Sequence, residues 1–155
     1  MEERNIPKSI KWQSNESGWK LDDLEATINF GVQLSSILHN TSLVLLEGPL
    51  GAGKTSLIKG IGKGFEITEP ITSPTFALSQ HYLNSKRPLF HLDLYRLEEP
   101  ASANEFFLSE EEEANQINAL MVIEWPSRLT LKLKEAWNIK LDYYSGGRLI
   151  QVQSP

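Results

Sequence analysis

Apolar residues recur along this chain in two rhythms, one helical and one of strands. From Leu21 to Leu38, Leu24, Ile28, Leu34 and Leu38 return at helical spacing, and Phe30 and Ile37 widen the stripe. Asp22 or Asp23 is placed to accept from the unpaired N–H groups at the start of that helix. Gly31 weakens its middle, at about 1 kcal/mol relative to alanine. Leu43-Val44-Leu45-Leu46 is unbroken and reads as a strand covered on both faces. A helix over Ser56 to Gly62 follows, with Lys63-Gly64 as its stop. Further strands are predicted over Phe76 to Leu83, Leu89 to Asp93 and Leu120 to Glu124. Residues 98 to 113 form a helix opened by Pro100, with Phe106, Phe107 and Leu108 to bury. Asn138 to Tyr144 and Arg148 to Gln153 flank Ser145-Gly146-Gly147, where Gly-Gly supplies the positive φ angles of a hairpin turn.

This order predicts an α/β domain. Its central sheet is expected to be mostly parallel, with flanking helices and a C-terminal antiparallel hairpin. Residues 1 to 18 are polar and read as a flexible arm with a short edge strand around Ile10 to Gln13, which leaves 19 to 155 as a single domain.

Charge and cysteine content narrow the function. Fifteen Lys and Arg against 20 Asp and Glu give a net charge of -5, which repels a phosphate backbone, so nucleic acid is expected only through a partner. The absence of cysteine removes disulfides, thiolate metal sites and cysteine nucleophiles. The acidic N-terminus leads into no apolar stretch and no run reaches membrane length, so the cytoplasm is the expected compartment.

The chemistry is concentrated between the first strand and the helix after it. Gly48-Pro49-Leu50-Gly51-Ala52-Gly53-Lys54-Thr55 satisfies the phosphate-loop pattern, and Ser56 continues it into the helix. Glycines let several backbone N–H groups converge on one anion, and the helix N-terminus adds unpaired donors and a positive dipole end. Lys54 is expected to be exposed, outside the core, and to reach the β- and γ-phosphates of ATP. The Thr55 hydroxyl is expected to ligate Mg²⁺.

A magnesium ion needs more oxygens than one hydroxyl. Asp93 and Glu124 each end an apolar strand, and in an open α/β sheet such ends face the ligand. Thr75, after Ser73-Pro74, offers a further hydroxyl to the metal or the γ-phosphate. Trp125 adjoins Glu124, where an aromatic ring shields a nucleotide from water. His91 reads as a packed histidine, and His39, His81 and His91 have no zinc spacing.

Four segments together resemble one family. Gly48 to Thr55, Ser73-Pro74-Thr75-Phe76, His91-Leu92-Asp93-Leu94-Tyr95-Arg96 and Glu124-Trp125-Pro126 are similar, in order and spacing, to the TsaE (YjeE) family, over roughly residues 20 to 145. The resemblance implies a compact P-loop NTPase fold and an ATP- and Mg²⁺-dependent ATPase that works with the proteins TsaD and TsaB in threonylcarbamoylation of tRNA adenosine 37. It implies nucleotide and metal roles for Lys54 and Thr55 and a metal-associated role for Asp93. Thr75 matches a switch-like threonine. Glu124 and Trp125 match an acidic-aromatic pair needed for activity, with Glu124 also a possible metal ligand.

Three rivals are weaker. A small-molecule kinase brings clustered arginines to a mobile lid, whereas Arg87, Arg96 and Arg128 stand apart. A GTPase needs a guanine-reading Asn-Lys-x-Asp, which Asn138-Ile139-Lys140 is not. A nucleotide-binding adaptor without catalysis needs no acidic partners, and here Asp93 and Glu124 supply two.

Overall fold

The computed structural model describes residues 18–74 and 76–155. The edge strand expected at Ile10 to Gln13 lies outside the described residues, as does Thr75. Along the chain the elements are β1 (Gly18–Leu21), α1 (Leu24–Ile37), β2 (Leu43–Glu47), α2 (Lys54–Gly64), β3 (Ser79–Tyr82) and β4 (Leu89–Asp93). They continue as α3 (Pro100–Gln116), β5 (Leu120–Glu124), a 3-10 turn (Pro126–Arg128), β6 (Trp137–Tyr144) and β7 (Gly147–Gln153).

The seven strands form one sheet in the order β1-β7-β6-β2-β5-β4-β3. It is mixed, not mostly parallel. The pairs β6–β2, β2–β5 and β5–β4 are parallel, while β1–β7, β7–β6 and β4–β3 are antiparallel. Connection length explains two of the three antiparallel pairs: a parallel neighbour needs a long crossover, and a short link can only reverse the chain. Residues 83–88 join β3 to β4, and Ser145-Gly146 alone joins β6 to β7. The positive φ angles of that hairpin fall on Ser145 (45°) and Gly146 (80°), so Gly147 opens β7 instead of completing the turn.

Alternation along the strands builds two cores. Val44 and Leu46, with Leu120, Val122 and Leu89, face α1 and α2, where Phe30, Leu34, Leu57, Ile58 and Ile61 complete the packing. Leu43, Phe90, Leu92, Met121 and Ile123 face the other way, against Phe107 and Ala114 of α3. The unbroken apolar run of β2 and the wholly buried β4 and β5 follow from being covered on both sides. The first strand, β1, is absent from the sequence reading, because Gly18 and Trp19 sit in a polar context. Pairing with β7 buries Trp19 and Leu21, and the Trp19 ring packs 5.6 Å from Phe30.

Helix α1 begins where a cap was expected. Asp23 is extended and its Oδ1 accepts from the Ala26 N–H at 2.8 Å. Gly31 proves to be a packing residue. A Cβ there would lie 2.9 Å from the Cα of Gly60, and a Cβ on Gly60 would collide with the Ile28 carbonyl. The two helices therefore cross with backbones in contact, and the propensity lost at Gly31 is the condition for seating α2 and the loop before it. No helix among the described residues is long and apolar enough to cross a membrane.

Gly60→Ala is expected to destabilise the domain by about 3 kcal/mol, at the upper end of overpacking costs, because backbone and not a flexible side chain must yield. Urea unfolding checks this, and a midpoint equal to wild type would mean that α1 and α2 separate without cost.

Candidate functional site

The ends of β2, β4 and β5 lie side by side, and strand register decides what they carry. Asp93 is the register partner of Glu124, and Leu46 pairs with Glu124 on the other side. Side chains two residues apart share a face. His91 and Asp93 therefore follow Leu89, and Glu124 follows Leu120 and Val122, onto the α1/α2 side of the sheet. That is the side on which the first turn of α2 starts.

The chain between β2 and α2 turns on two glycines, Gly51 at φ 78° and Gly53 at φ 100°. Gly53 occupies the N-cap position and makes no side-chain cap, so the first N–H groups of α2, beginning with Lys54, Thr55 and Ser56, keep the donor character of a helix N-terminus. These features surround one cavity of about 750 Å³. Pro49, Leu50, Gly51, Gly53, Lys54, Thr55 and Ser56 line it together with Asp93, Glu124 and Trp125. Gly48 lines an adjoining smaller cavity with Pro49 and Trp125, and Ala52 is buried beneath the loop. Ser73 lines the main cavity two residues before Thr75.

Lys54 is buried, at 7% exposure, and not on the surface as the sequence suggested. Its Nζ donates to the Gly48 carbonyl at 2.6 Å, lies 3.9 Å from Glu124 Oε1 and sits 5.1 Å from the centroid of the Trp125 ring. The second oxygen of Glu124, Oε2, lies 2.6 Å from His91 Nε2. A carboxylate accepts, so this bond requires a proton on Nε2. His91 is fully buried, and its Nδ1 has no hydrogen-bond partner among the described residues. The histidine is packed, as its place in a strand suggested, but it also fixes the orientation of Glu124.

Asp93 is buried beside this pair, and its Oδ1 accepts from the Tyr95 N–H at 3.0 Å. Burial raises its pKa above the ordinary 3.8, the Tyr95 N–H opposes that shift, and the Glu124 charge adds to it.

Trp125 is held at φ 59° and ψ 50°, a left-handed conformation that costs a bulky residue about 1 kcal/mol or more. The Glu124 carbonyl accepts from the Leu94 N–H at 3.1 Å, and the Trp125 carbonyl accepts from the Arg128 N–H at 3.1 Å, which brackets the strained residue. The strain places the indole over Lys54 and against Tyr95, whose ring is 4.8 Å away, with the Arg128 guanidinium 5.9 Å from the indole.

Chemically this is a nest of donors and one ammonium facing two carboxylates. Donors and ammonium suit a polyphosphate. Among the described residues no group of three or more His, Cys, Asp or Glu forms a metal cage, so a cation between Thr55 and Asp93 would need further oxygens from a ligand. Mg²⁺, which is usually held by one or two carboxylates plus substrate phosphates, fits that donor set. Sequence reasoning assigned no part in the site to Tyr95, and none to Tyr143 and Arg148 of the hairpin. The last two reach the loop from β6 and β7, with Tyr143 OH donating to the Leu50 carbonyl at 2.7 Å and Arg148 Nε to the Ala52 carbonyl at 3.0 Å. Only the positive charge of Arg148 could have flagged either.

Comparison with known proteins establishes the family and the fold. The family model described as "Threonylcarbamoyl adenosine biosynthesis protein TsaE" matches residues 21–150. A "tRNA threonylcarbamoyladenosine biosynthesis protein TsaE" from Nostoc sp. is 46% identical over 129 residues, covering 82% of this chain and 78% of the relative. Proteins of the same name from Treponema pallidum and Mycobacterium tuberculosis are 39% and 37% identical, covering 70% and 85% of this chain and 78% and 82% of their own. The crystal structure of Bacillus subtilus YdiB superposes with a TM-score of 0.63 over 88% of this chain and 84% of that one, at 22% identity, and so shares the fold. The chain belongs to the TsaE family of threonylcarbamoyl adenosine biosynthesis proteins.

Proposed function

We propose that this protein is a Mg²⁺-dependent ATPase that works with TsaD and TsaB in threonylcarbamoylation of tRNA adenosine 37, touching tRNA only through that complex. One observation carries the reading: a phosphate loop, its lysine and two strand-end carboxylates line a single cavity. The loop N–H groups and Lys54 hold the phosphates of ATP. To reach them, the ammonium exchanges the Gly48 carbonyl and Glu124 for phosphate oxygens. Thr55 and Asp93 would hold Mg²⁺, with Glu124 of the same cavity as a further ligand, and the bound metal would neutralise developing phosphate charge.

Glu124 acts on the hydrolytic step. With Oε2 tied to His91, Oε1 is the oxygen left to orient an attacking water. Trp125 shields this volume from bulk solvent, and Thr75 offers its hydroxyl to the metal or γ-phosphate. The domain 19–155 acts as one unit, preceded by the arm 1–18, in the cytoplasm.

Purified protein is expected to hydrolyse ATP slowly alone and faster with TsaD and TsaB, read as phosphate release with and without the partners and tRNA. Transfer of the γ-phosphate to a metabolite instead of water would favour a kinase. Lys54→Ala is expected to lower turnover about a hundredfold or more and to weaken nucleotide binding. Wild-type turnover in that variant would remove the loop from the mechanism.

The two carboxylates are separable by a Mg²⁺ titration of hydrolysis. Asp93→Asn is expected to need at least about tenfold more Mg²⁺ for the same rate. Glu124→Gln is expected to keep metal demand and nucleotide affinity while turnover falls about a hundredfold. The reverse pattern would exchange the two roles.

Asp93 also predicts a stability effect. A carboxyl with a raised folded pKa binds its proton more tightly in the folded chain than in the unfolded one. Its contribution is therefore most favourable below 3.8 and declines as pH rises through the folded value. Without nucleotide, Asp93→Asn is expected to raise the urea midpoint at pH 7, with the advantage shrinking as pH falls toward 3.8. A lower midpoint at pH 7 would mean that the ionised carboxylate stabilises the fold.

A further inference from the structure

The C-terminal hairpin does more than extend the sheet. Tyr143 and Arg148 are register partners at the end of β6 and the start of β7, next to the Ser145-Gly146 turn. Tyr143 OH donates to the Leu50 carbonyl at 2.7 Å. Arg148 donates from Nε to the Ala52 carbonyl at 3.0 Å and from Nη2 to the Gly51 carbonyl at 3.2 Å. Its guanidinium also lies 4.5 Å from the Tyr143 ring centroid, so the two side chains support each other. Three consecutive loop carbonyls, more than ninety residues away in sequence, thus point at the hairpin.

A trans peptide unit is planar, and its C=O and the following N–H point in opposite directions. Holding the Leu50 carbonyl toward the hairpin aims the Gly51 N–H away from it. Holding the Ala52 carbonyl does the same for the Gly53 N–H. Gly51 and Gly53 both line the cavity. The Gly51 carbonyl likewise sets the Ala52 N–H, which donates to the Pro49 carbonyl at 3.2 Å within the loop. The contact also constrains the sequence, since a Cβ on Gly51 would lie 2.7 Å from Tyr143 OH.

We propose that Tyr143 and Arg148 are positioning residues for nucleotide binding, which set the peptide planes of the loop so that the Gly51 and Gly53 N–H groups face the phosphates. This rests on the reading of the loop as a nucleotide site. Without these two side chains the carbonyls are free to rotate into the cavity, where they repel phosphate oxygens instead of donating to them.

Calorimetric titration with ADP tests the proposal on wild type, Tyr143→Phe, Arg148→Met and Arg148→Lys. Tyr143→Phe is expected to weaken ADP binding about fivefold, and Arg148→Met about tenfold or more, following the usual worth of neutral and charge-assisted hydrogen bonds. Arg148→Lys recovers part of the loss, since one ammonium can still serve one carbonyl. In hydrolysis, the larger share of the loss is expected in KM and the smaller in kcat. The thermal midpoint without nucleotide separates seating from general stability. Tyr143 is about half exposed, at 53%, so its phenylalanine variant is expected to keep the midpoint while losing affinity, and it decides the matter if Arg148→Met does not fold. ADP affinity equal to wild type in both Tyr143→Phe and Arg148→Met overturns the proposal and leaves the nucleotide site standing. Failure of the wild type to bind ADP overturns both.

Discussion

Two carboxylates, an ammonium and an imidazole are buried together at the carboxyl end of the sheet, and much of the molecule is arranged around keeping them there. Removing such groups from water costs several kcal/mol per ion unless partners replace the lost hydration. Lys54 finds the Gly48 carbonyl, Glu124 finds His91, and Asp93 finds the Tyr95 N–H. Burial still raises the pKa of Asp93, against the Tyr95 N–H. A group left in that condition has latent attraction for a cation. Under the proposed reading, a metal-bound polyphosphate would relieve that electrostatic state, the usual relation between strained, polar sites and their ligands.

Such a cluster has to be aimed as well as buried. Parity along β4 and β5 places His91, Asp93 and Glu124 on one face, and their register sets Asp93 against Glu124. Parity alone is insufficient, because α2 must also bring its first turn to the same point. Gly31 and Gly60 allow that by letting α1 and α2 touch backbone to backbone. A glycine that looks costly in a helix, taken by itself, is the residue that sets the height of the phosphate loop above the sheet.

The parts of this molecule legible in the sequence are those governed by local rules. The phosphate loop is a short pattern, β2, β4 and β5 are apolar runs of strand length, and the Asp23 cap needs only its own neighbours. Asp93 and Glu124 could be found because a strand end is a place that a linear reading can mark. Pairing between distant segments is another matter. Strand β1 exists because β7 accepts it, and neither segment announces the other. The balance of parallel and antiparallel pairs depended on which segments pair without a crossover, and the burial of Lys54 on a strand end and a tryptophan that arrive from elsewhere in the chain. Trp125 was placed at the site by adjacency to Glu124, but its left-handed backbone is a product of the bonds that bracket it.

The arginines show how the same residue type changes meaning once its partners are known. Read along the chain, they are scattered, and their scatter argued against a kinase lid. In the fold, all four described arginines are held by carbonyls or rings. Arg87 donates to the carbonyls of Leu38, Thr41 and Asn118, Arg128 to that of Tyr95, and Arg148 to those of Gly51, Ala52 and Gly147, while Arg96 lies 4.3 Å from the Phe76 ring centroid. A guanidinium shared among backbone carbonyls is a brace, and to stabilise a transferring phosphoryl group it would have to abandon those bonds. Lys54 is then the cation nearest to hand at the cavity, and a single ammonium is modest compensation for the charge on a transferring γ-phosphate. Under the proposed reading that shortfall would be met from outside the chain, by a bound metal and by a protein partner. Under the same reading the domain suits hydrolysis that waits for assembly better than rapid phosphoryl transfer on its own.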